Sequence, residues 1–138
     1  MRLSHIMTGA IQTIAPQDSL AEAARKMASA DVGSLPVCGE KRKVVGIITD
    51  RDITVRAVAR GLDPNRTPVE DVMTREVLAC SADSDIEAAC ALMEEKQVRR
   101  LLVTENEAPV GIVSLGDIAL CLRENQSGGV LKKLSEPD

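Results

Sequence analysis

The sequence contains no Phe, Tyr or Trp among its 138 residues. Its core must therefore be aliphatic, and any planar ligand would lie between aliphatic side chains and backbone rather than on aromatic rings. Modules that bind RNA or single strands commonly stack bases on aromatic side chains, so this absence argues against them. A formal net charge of −4 argues the same way, because nucleic-acid partners normally require a basic surface. We therefore expect no nucleic-acid partner.

The sequence is also poor in the residues of metal and nucleophile sites. Histidine occurs once, as His5, and the four cysteines occur singly with no Cys-x-x-Cys pair. No phosphate-binding Gly-x-x-x-x-Gly-Lys-Ser/Thr loop is present. We expect no metal site, no catalytic residue and no enzyme activity. The four cysteines are Cys38, Cys80, Cys90 and Cys121. The simplest interpretation is that they are buried thiols, and the alternative is that one of them forms a pair or senses oxidation.

Long hydrophobic runs are missing as well. No apolar stretch approaches membrane-spanning length, and the N-terminus lacks the apolar region of a signal peptide. These absences favour a soluble, cytoplasmic protein. A chain of 138 residues is long enough for one compact domain or two closely packed half-domains.

What the sequence does contain is a repeat with a period of about 65 residues. Residues 46–52 (GIITDRD) recur as residues 111–117 (GIVSLGD). The pair Met7-Thr8 likewise returns as Met73-Thr74. Such a period predicts a tandem duplication of one α/β unit, and it fills most of the chain.

Each copy is predicted to contain the same elements in the same order. A short extended piece (11–14, 77–80) precedes an amphipathic helix, two strands (35–38 and 44–48, 101–104 and 110–113) and a final helix. The final helices are predicted to begin at Thr49 or Asp50 and at Ser114 or Leu115. Capping boxes are predicted at Ser19 with Glu22 and at Ser84 with Glu87. The predicted buried helix faces are Leu20, Ala23, Ala24 and Met27, and Ile86, Ala89, Cys90 and Met93.

We place the first repeat at residues 5–62, a structured linker at 63–70, the second repeat at 71–122 and a tail at 123–138. Gly61 is a predicted helix C-cap, 63–66 a turn, and Thr67 the N-cap of a new helix. In the tail, 127–129 is a predicted hinge and 130–134 one helical turn of a loosely docked terminus, with an interface role as the alternative.

Each repeat carries a hydroxyl and a carboxylate three residues apart, where a buried strand passes into a helix. Thr49 and Asp52 form this pair in the first copy, and Ser114 and Asp117 form it in the second. An ionised Asp can accept hydrogen bonds from the two vicinal hydroxyls of a ribose, and Arg51 could grip phosphate oxygens. The alternative is structural: the hydroxyls are N-caps and the acids favour the helix dipole.

The Met-Thr starts, the run 32–37 (VGSLPV) and the run 46–52 (GIITDRD) together resemble the CBS domain, named for cystathionine β-synthase. Residues 5–122 resemble a stand-alone CBS pair. The resemblance implies an α/β (α+β) fold, in which each repeat has a small three-stranded sheet and two helices, packed as a pseudo-two-fold pair. It also implies two nucleotide clefts, each shared between the repeats. Carried over by position, the first cleft would contain Thr49, Arg51, Asp52, Val77, Leu78, Val98 and Arg100. The second would contain Ser114, Asp117, Ile11, Gln12, Val32, Gly33, Ser34 and Arg99.

The resemblance implies a regulatory module that binds AMP, ADP or ATP, or alternatively NAD or S-adenosylmethionine, without catalysis. It also implies a homodimer and a protein target that the sequence does not identify. Because Arg51 is matched by Gly116 in the second copy, we expect unequal clefts, with the Asp52 cleft the stronger phosphate binder. The rival interpretation is a structural or oligomerisation module whose clefts are empty or degenerate.

Overall fold

The structure, a computed structural model, describes the backbone of residues 1–127 and the side chains of residues 1–124. Its contacts divide the chain into two compact units. The Asp52 unit comprises Gln12–Val77 and Glu107–Pro109. The Asp117 unit comprises Met1–Ile11, Leu78–Asn106 and the described residues from Val110 to Ser127. The packing units therefore do not follow the linear repeats, because the first eleven residues pack with the second repeat. The boundaries of the sequence repeats themselves stay a prediction.

The Asp52 unit begins with helix α1 (Leu20–Ala30), whose N-cap is Ser19. The Ser19 hydroxyl accepts a hydrogen bond from the Glu22 N–H at 3.1 Å, as the sequence predicts, but the Glu22 side chain pairs with Arg25 instead of closing the box. Arg25 also lowers the pKa of Glu22 through this hydrogen bond and its charge. Leu20, Ala23 and Met27 form the buried face of α1. Ala24 is exposed, so its predicted place on that face is wrong.

Strands β1 (Ser34–Cys38) and β2 (Val44–Thr49) form an antiparallel pair in which Leu35 lies opposite Ile48. The predicted third strand at 11–14 is reduced to one parallel bridge between Ile14 and Val37. After β2 the chain forms helix α2 (Asp50–Asp52), which continues as a π-helix over Ile53–Val58. The aliphatic core of the unit comprises Ile14, Leu20, Ala23, Met27, Leu35, Val37, Ile48, Ala57, Val69, Val72 and Met73.

The connection after this helix is ordered, as predicted. Gly61 has a φ of +74°, and the Leu62 N–H donates to the Ala57 carbonyl at 3.0 Å, which closes the helix end. Thr67 is not an N-cap, because its hydroxyl donates to the Asp63 carbonyl at 2.7 Å. Pro68 instead precedes a single 3₁₀ turn at Val69–Asp71, so the predicted new helix does not form.

The Asp117 unit contains strand β3 (Ala79–Ser81), helix α3 (Ile86–Lys96), strands β4 (Arg100–Glu105) and β5 (Ala108–Ser114), and helix α4 (Leu115–Ser127). The strand order is β3-β4-β5, and β3 is parallel to β4. Its aliphatic core comprises Leu3, Ala82, Ile86, Ala89, Met93, Leu101, Val103, Val113 and Ile118. A small sheet and two helices per repeat confirm the predicted fold class.

The start of α3 differs in detail from the prediction. Asp85, not Ser84, is the N-cap, and its side chain makes no capping hydrogen bond. The Ile86 N–H donates instead to the Met1 carbonyl at 3.0 Å, so the start of the chain caps this helix. Cys90 is half-buried, whereas Ile86 lies in the core as predicted.

Each repeated Met-Thr pair lies against the repeated glycine of a strand. Thr74 forms two backbone hydrogen bonds of 2.9 Å with Ile47, directly beside Gly46. Thr8 does the same with Ile112, at 2.9 and 3.0 Å, beside Gly111. Because the glycines have no side chain, the Met-Thr backbone approaches the strand closely. The duplication is therefore visible as a repeated packing contact as well as a repeated sequence.

Helix α4 continues through Ser127, although this residue was predicted to lie in a hinge. The rest of the predicted hinge and the predicted helical turn, residues 128–134, lie outside the described residues. Within the part of the chain that the structure describes, no helix combines the length and apolar character needed to cross a bilayer.

Candidate functional site

Thr49 and Asp52 form a reciprocal capping box at the end of β2. The Asp52 N–H donates to Thr49 Oγ1 at 3.0 Å, and the Thr49 N–H donates to Asp52 Oδ2 at 3.1 Å. The structural role considered from the sequence is therefore present. This capping role uses only part of the hydrogen-bonding capacity of the Asp52 carboxylate, because an ionised Asp has about four acceptor positions.

The Asp52 carboxylate is the one buried charged group among the described side chains, with 9% of the residue exposed. Thr74 Oγ1 donates to Asp52 Oδ2 at 3.3 Å, and Arg56 Nε lies 3.8 Å from Oδ1. Arg56 also donates to the Val72 carbonyl at 3.3 Å. These contacts place a hydroxyl group and an arginine beside the buried carboxylate.

Ser114 and Asp117 repeat the box at the end of β5. The Asp117 N–H donates to Ser114 Oγ, and the Ser114 N–H donates to Asp117 Oδ2, both at 3.0 Å. The residue four places after Asp117 is Cys121, where the first copy has Arg56. The second carboxylate therefore lacks the arginine that follows the first.

The two hydroxyl–carboxylate devices, Thr49 with Asp52 and Ser114 with Asp117, differ in the charged residues that lie beside them. The Asp50 N–H donates to the Gly33 carbonyl at 2.9 Å, and an Asp50 carboxylate oxygen lies 3.0 Å from where a Cβ of Gly33 would stand. In the second copy the Leu115 N–H donates to the Arg99 carbonyl at 2.8 Å. The same backbone hydrogen bond therefore occurs in both copies, while Leu115 stands in place of Asp50 and Arg99 in place of Gly33.

Three cavities of the Asp117 unit lie close to its device. One of about 480 Å³ is lined by Arg99, Arg100, Ser114, Leu115, Gly116 and Ala119. A second of about 410 Å³ is lined by Cys90, Met93, Glu94, Gln97, Val98, Arg99 and Leu115. A third of about 460 Å³ is lined by Met1, His5, Ile6, Asp117, Leu120, Cys121 and Glu124. Ser114 and Asp117 thus face different cavities, although they are hydrogen-bonded to each other.

The other predicted site residues are distributed over both units. Arg51 is exposed, and its backbone N–H donates to Asp50 Oδ1 at 2.8 Å. Arg99 and Arg100, which the resemblance assigns to different clefts, line one cavity. The pairing of each device with pocket residues of the other repeat stays a prediction. The half-buried members of that set are Ile11, Gly33, Ser34, Val77, Leu78 and Val98, and the exposed members are Gln12 and Val32.

Sequence reasoning missed three participants. Thr74 was recognised as part of a repeated pair, but its hydrogen bond to Asp52, 22 residues away in sequence, was not predicted. Arg56 follows Asp52 by four residues, a spacing that places both on one helix face and could have revealed it. The approach of the Asp50 carboxylate to Gly33 was not predicted either.

The cysteines are half-buried rather than fully buried, so the sequence prediction overstated their burial. Burial raises the pKa of the Cys38, Cys80 and Cys90 thiols above the ordinary value. They are therefore mostly protonated at neutral pH and poorly nucleophilic. Among the residues that the structure describes, no cluster of three or more His, Cys, Asp or Glu side chains could hold a metal ion.

Comparison with known proteins gives consistent matches over both repeats. A family model described as CBS domain matches residues 3–58 and 69–124. The CBS domain-containing protein YhcV of Bacillus subtilis is 39% identical over 89% of this chain and 86% of its own length. Hypoxic response protein 1 of Mycobacterium tuberculosis is 34% identical over 96% of this chain and 92% of its own length.

Solved structures agree with these matches. The crystal structure of Hypoxic Response Protein I with two coordinated zinc ions has a TM-score of 0.77 at 34% identity, covering 87% of this chain and 98% of that one. The CBS domain pair of MJ0100, solved with 5′-methylthioadenosine and S-adenosyl-L-methionine, has a TM-score of 0.76 at 27% identity, covering 91% of this chain and 98% of that one.

Proposed function

This chain belongs to the CBS domain family as a tandem pair, and on that premise we propose that it is a non-catalytic sensor of adenine nucleotides (AMP, ADP or ATP). The observation that carries the proposal is the duplicated hydroxyl–carboxylate device at the ends of β2 and β5. In each, the carboxylate is fixed by the backbone and retains acceptor positions for the two hydroxyls of a ribose. The ligands of the MJ0100 pair contain the same adenosine moiety, which supports this choice.

The absence of aromatic residues is compatible with this ligand class. A base can lie between aliphatic side chains, and the site residues proposed for that contact are Val77, Leu78, Val98, Ile11 and Val32. The phosphates are proposed to contact Arg51, Arg99 and Arg100. NAD and S-adenosylmethionine share the ribose and remain alternative ligands of the same device.

Signalling by such a sensor requires a partner, and we propose a second copy of this chain. Val55 and Val58, on the π-helix Ile53–Val58, and Leu62, just past the end of that helix, form an apolar stripe whose members are 48%, 60% and 39% exposed. An apolar stripe of this kind is costly in water and is typical of a contact surface. A ligand would act by changing the geometry of the homodimer in the cytoplasm, where an unidentified protein target detects it.

A second candidate function is supported by the same boxes. Because both carboxylates already accept backbone N–H groups at 3.0–3.1 Å, they could serve only to end the strands and start the helices. Together with the exposed stripe, this would describe an oligomerisation module with empty or degenerate ligand sites.

Thermal unfolding with adenine nucleotides separates the two functions. A ligand with a dissociation constant of about 10 μM, added at about 1 mM, stabilises the folded state by about 2.7 kcal/mol. We expect the melting temperature to rise by several degrees with at least one of AMP, ADP or ATP.

The matched controls are inosine phosphates, which keep the ribose and phosphates but change the base, and 2′-deoxyadenosine phosphates, which remove one hydroxyl. A melting temperature unchanged by AMP, ADP, ATP, NAD and S-adenosylmethionine would refute the sensor and favour the oligomerisation module.

A further inference from the structure

Arg56 contacts the buried carboxylate of Asp52 from the helix that follows it. Its Nε lies 3.8 Å from Asp52 Oδ1, which makes an ion pair but is too long for a hydrogen bond. Its guanidinium also donates to the Val72 carbonyl at 3.3 Å. The side chain of Arg56 is 49% exposed, whereas that of Asp52 is only 12% exposed. The carboxylate is therefore fixed inside the unit, while the guanidinium borders on water and can move away.

The acceptor positions of the Asp52 carboxylate are already partly filled. An ionised carboxylate has about four such positions, shared between its two oxygens. The Thr49 N–H donates to Oδ2 at 3.1 Å, and the Thr74 hydroxyl lies 3.3 Å from Oδ2 and 3.4 Å from Oδ1. Both donors are nearest to Oδ2, which leaves the positions on Oδ1 for a ligand. Arg56 lies beside that oxygen, so it competes for the space that two ribose hydroxyls would need.

The second copy has no equivalent of this arginine. Cys121 stands four residues after Asp117, and Thr8, the counterpart of Thr74, is exposed. Among the residues that the structure describes, the Asp117 carboxylate accepts one hydrogen bond, from the Ser114 N–H at 3.0 Å. Its remaining acceptor positions therefore admit both hydroxyls of a ribose without the displacement of a cation.

The backbone that carries Arg56 also differs between the copies. Arg56 lies on the π-helix Ile53–Val58, whereas α4 is an α-helix over Leu115–Ser127. π-helical turns are rare and are frequently found at functional sites. This irregular winding occurs in the copy that carries the arginine, and it begins directly after Asp52.

We propose that Arg56 sets the sugar selectivity of the Asp52 device by competing with one of two vicinal hydroxyls for the carboxylate. A ligand with one hydroxyl binds beside the arginine. A ligand with two hydroxyls must displace it, so the gain from the second hydroxyl is offset by the lost ion pair and the lost bond to the Val72 carbonyl. The Asp52 device therefore distinguishes ribose from deoxyribose poorly, and the Asp117 device distinguishes them well. This inference rests on the proposed function, because it requires that the carboxylate binds a sugar.

Titration calorimetry of the full chain with AMP and 2′-deoxy-AMP tests the selectivity. Asp117→Asn is the common background, so that the remaining binding event belongs to the Asp52 device. In this background we expect the two affinities to lie within about threefold of each other. Arg56→Met keeps the length of the side chain and removes its donors. It should raise the preference for AMP to about tenfold or more, because the second hydroxyl then gains a bond to a charged acceptor. The matched control is Arg60→Met, at an exposed arginine four residues further along the chain.

Thr74→Val provides a second route to the same result. It frees a position on Oδ2 and leaves the arginine in place, so it should also raise the preference for AMP over 2′-deoxy-AMP. This variant keeps the cation beside the buried carboxylate, whereas Arg56→Met leaves that charge unpaired and is expected to lower the melting temperature.

The displacement of Arg56 is measured directly by NMR, through the exchange of its Nε–H with water. The signal is assigned by its absence in Arg56→Lys, which keeps the positive charge. In the free chain Asp52→Asn should speed this exchange, and Asp71→Asn, which carries the same change in charge, should not. In the Asp117→Asn background AMP should speed it and 2′-deoxy-AMP should leave it unchanged.

Each outcome supports or overturns a separate statement. If AMP binds with the same preference over 2′-deoxy-AMP in the Asp117→Asn background and after the addition of Arg56→Met or Thr74→Val, the selectivity inference is wrong while the sensor function stands. An Arg56 Nε–H signal that AMP leaves unchanged, although AMP is bound, would also overturn it. If AMP binds to none of these chains, the sensor function and the inference fail together.

Discussion

Gly46→Ala is expected to destabilise the protein by about 1–3 kcal/mol, and Gly46→Val by more, because the new side chain has no room. A Cβ at Gly46 would lie 2.6 Å from Met73 Sδ and 2.9 Å from the Thr74 carbonyl oxygen. The methionine could turn away, but the carbonyl accepts the Ile47 N–H at 2.9 Å and cannot move without breaking that bond. Urea and thermal unfolding measure the loss, which for Gly46→Ala corresponds to roughly 3–10 °C in melting temperature.

The control is Gly9→Ala, where the nearest atom to a new Cβ is a carbonyl oxygen at 3.8 Å, an ordinary contact. Gly111→Ala should behave like Gly46→Ala, because its Cβ would meet Met7 Sδ at 2.5 Å and the Thr8 carbonyl oxygen at 2.9 Å. If Gly46→Ala unfolds with the same midpoint as Gly9→Ala, the close packing of the Met-Thr pair on β2 is wrong.

Asp52→Asn is expected to weaken nucleotide binding at the first device by about 10- to 100-fold. The reason is that charge-assisted hydrogen bonds to ribose hydroxyls contribute about 1.5–3 kcal/mol more than water supplies. The amide oxygen can still accept the Thr49 N–H, so the loss of stability should stay near about 1 kcal/mol. Calorimetric affinity and the melting temperature, measured on the same samples, separate the two effects.

Asp117→Asn should remove a second, separable binding event and leave the first unchanged. The exposed Asp71, in the 3₁₀ turn of the same unit as Asp52, provides the control variant Asp71→Asn, which carries the same change in charge. Identical isotherms for the wild type, Asp52→Asn and Asp117→Asn would show that neither carboxylate binds the ligand.

The fold could be predicted because its signals are local and occur twice. The spacing of Leu20, Ala23 and Met27 follows helical geometry, and the hydroxyl of Ser19 and the glycine at 61 mark helix ends by their own chemistry. Errors arose where another contact replaced the predicted helix cap. The Met1 carbonyl caps α3 in place of Ser84, and Asp63 takes the hydroxyl of Thr67.

The two hydroxyl–carboxylate devices of the candidate site could be predicted from the sequence, but the residues that surround them could not. The pairs Thr49 with Asp52 and Ser114 with Asp117 follow from a three-residue spacing at a strand end. The approach of Thr74 to Asp52 depends instead on how a distant segment packs on β2. The first eleven residues pack with the second repeat, and no local sequence pattern predicts this packing. Residue spacing therefore predicts neither the contact between Thr74 and Asp52 nor the cavity that Arg99 and Arg100 line together.

The most direct test of the account is a crystal structure of the chain with ADP at a saturating concentration. The account predicts vicinal ribose hydroxyl oxygens about 2.5–3.0 Å from a carboxylate oxygen of Asp52, Asp117 or both. A well-ordered nucleotide whose ribose contacts neither carboxylate would contradict it, and so would two empty devices in crystals grown from millimolar ADP.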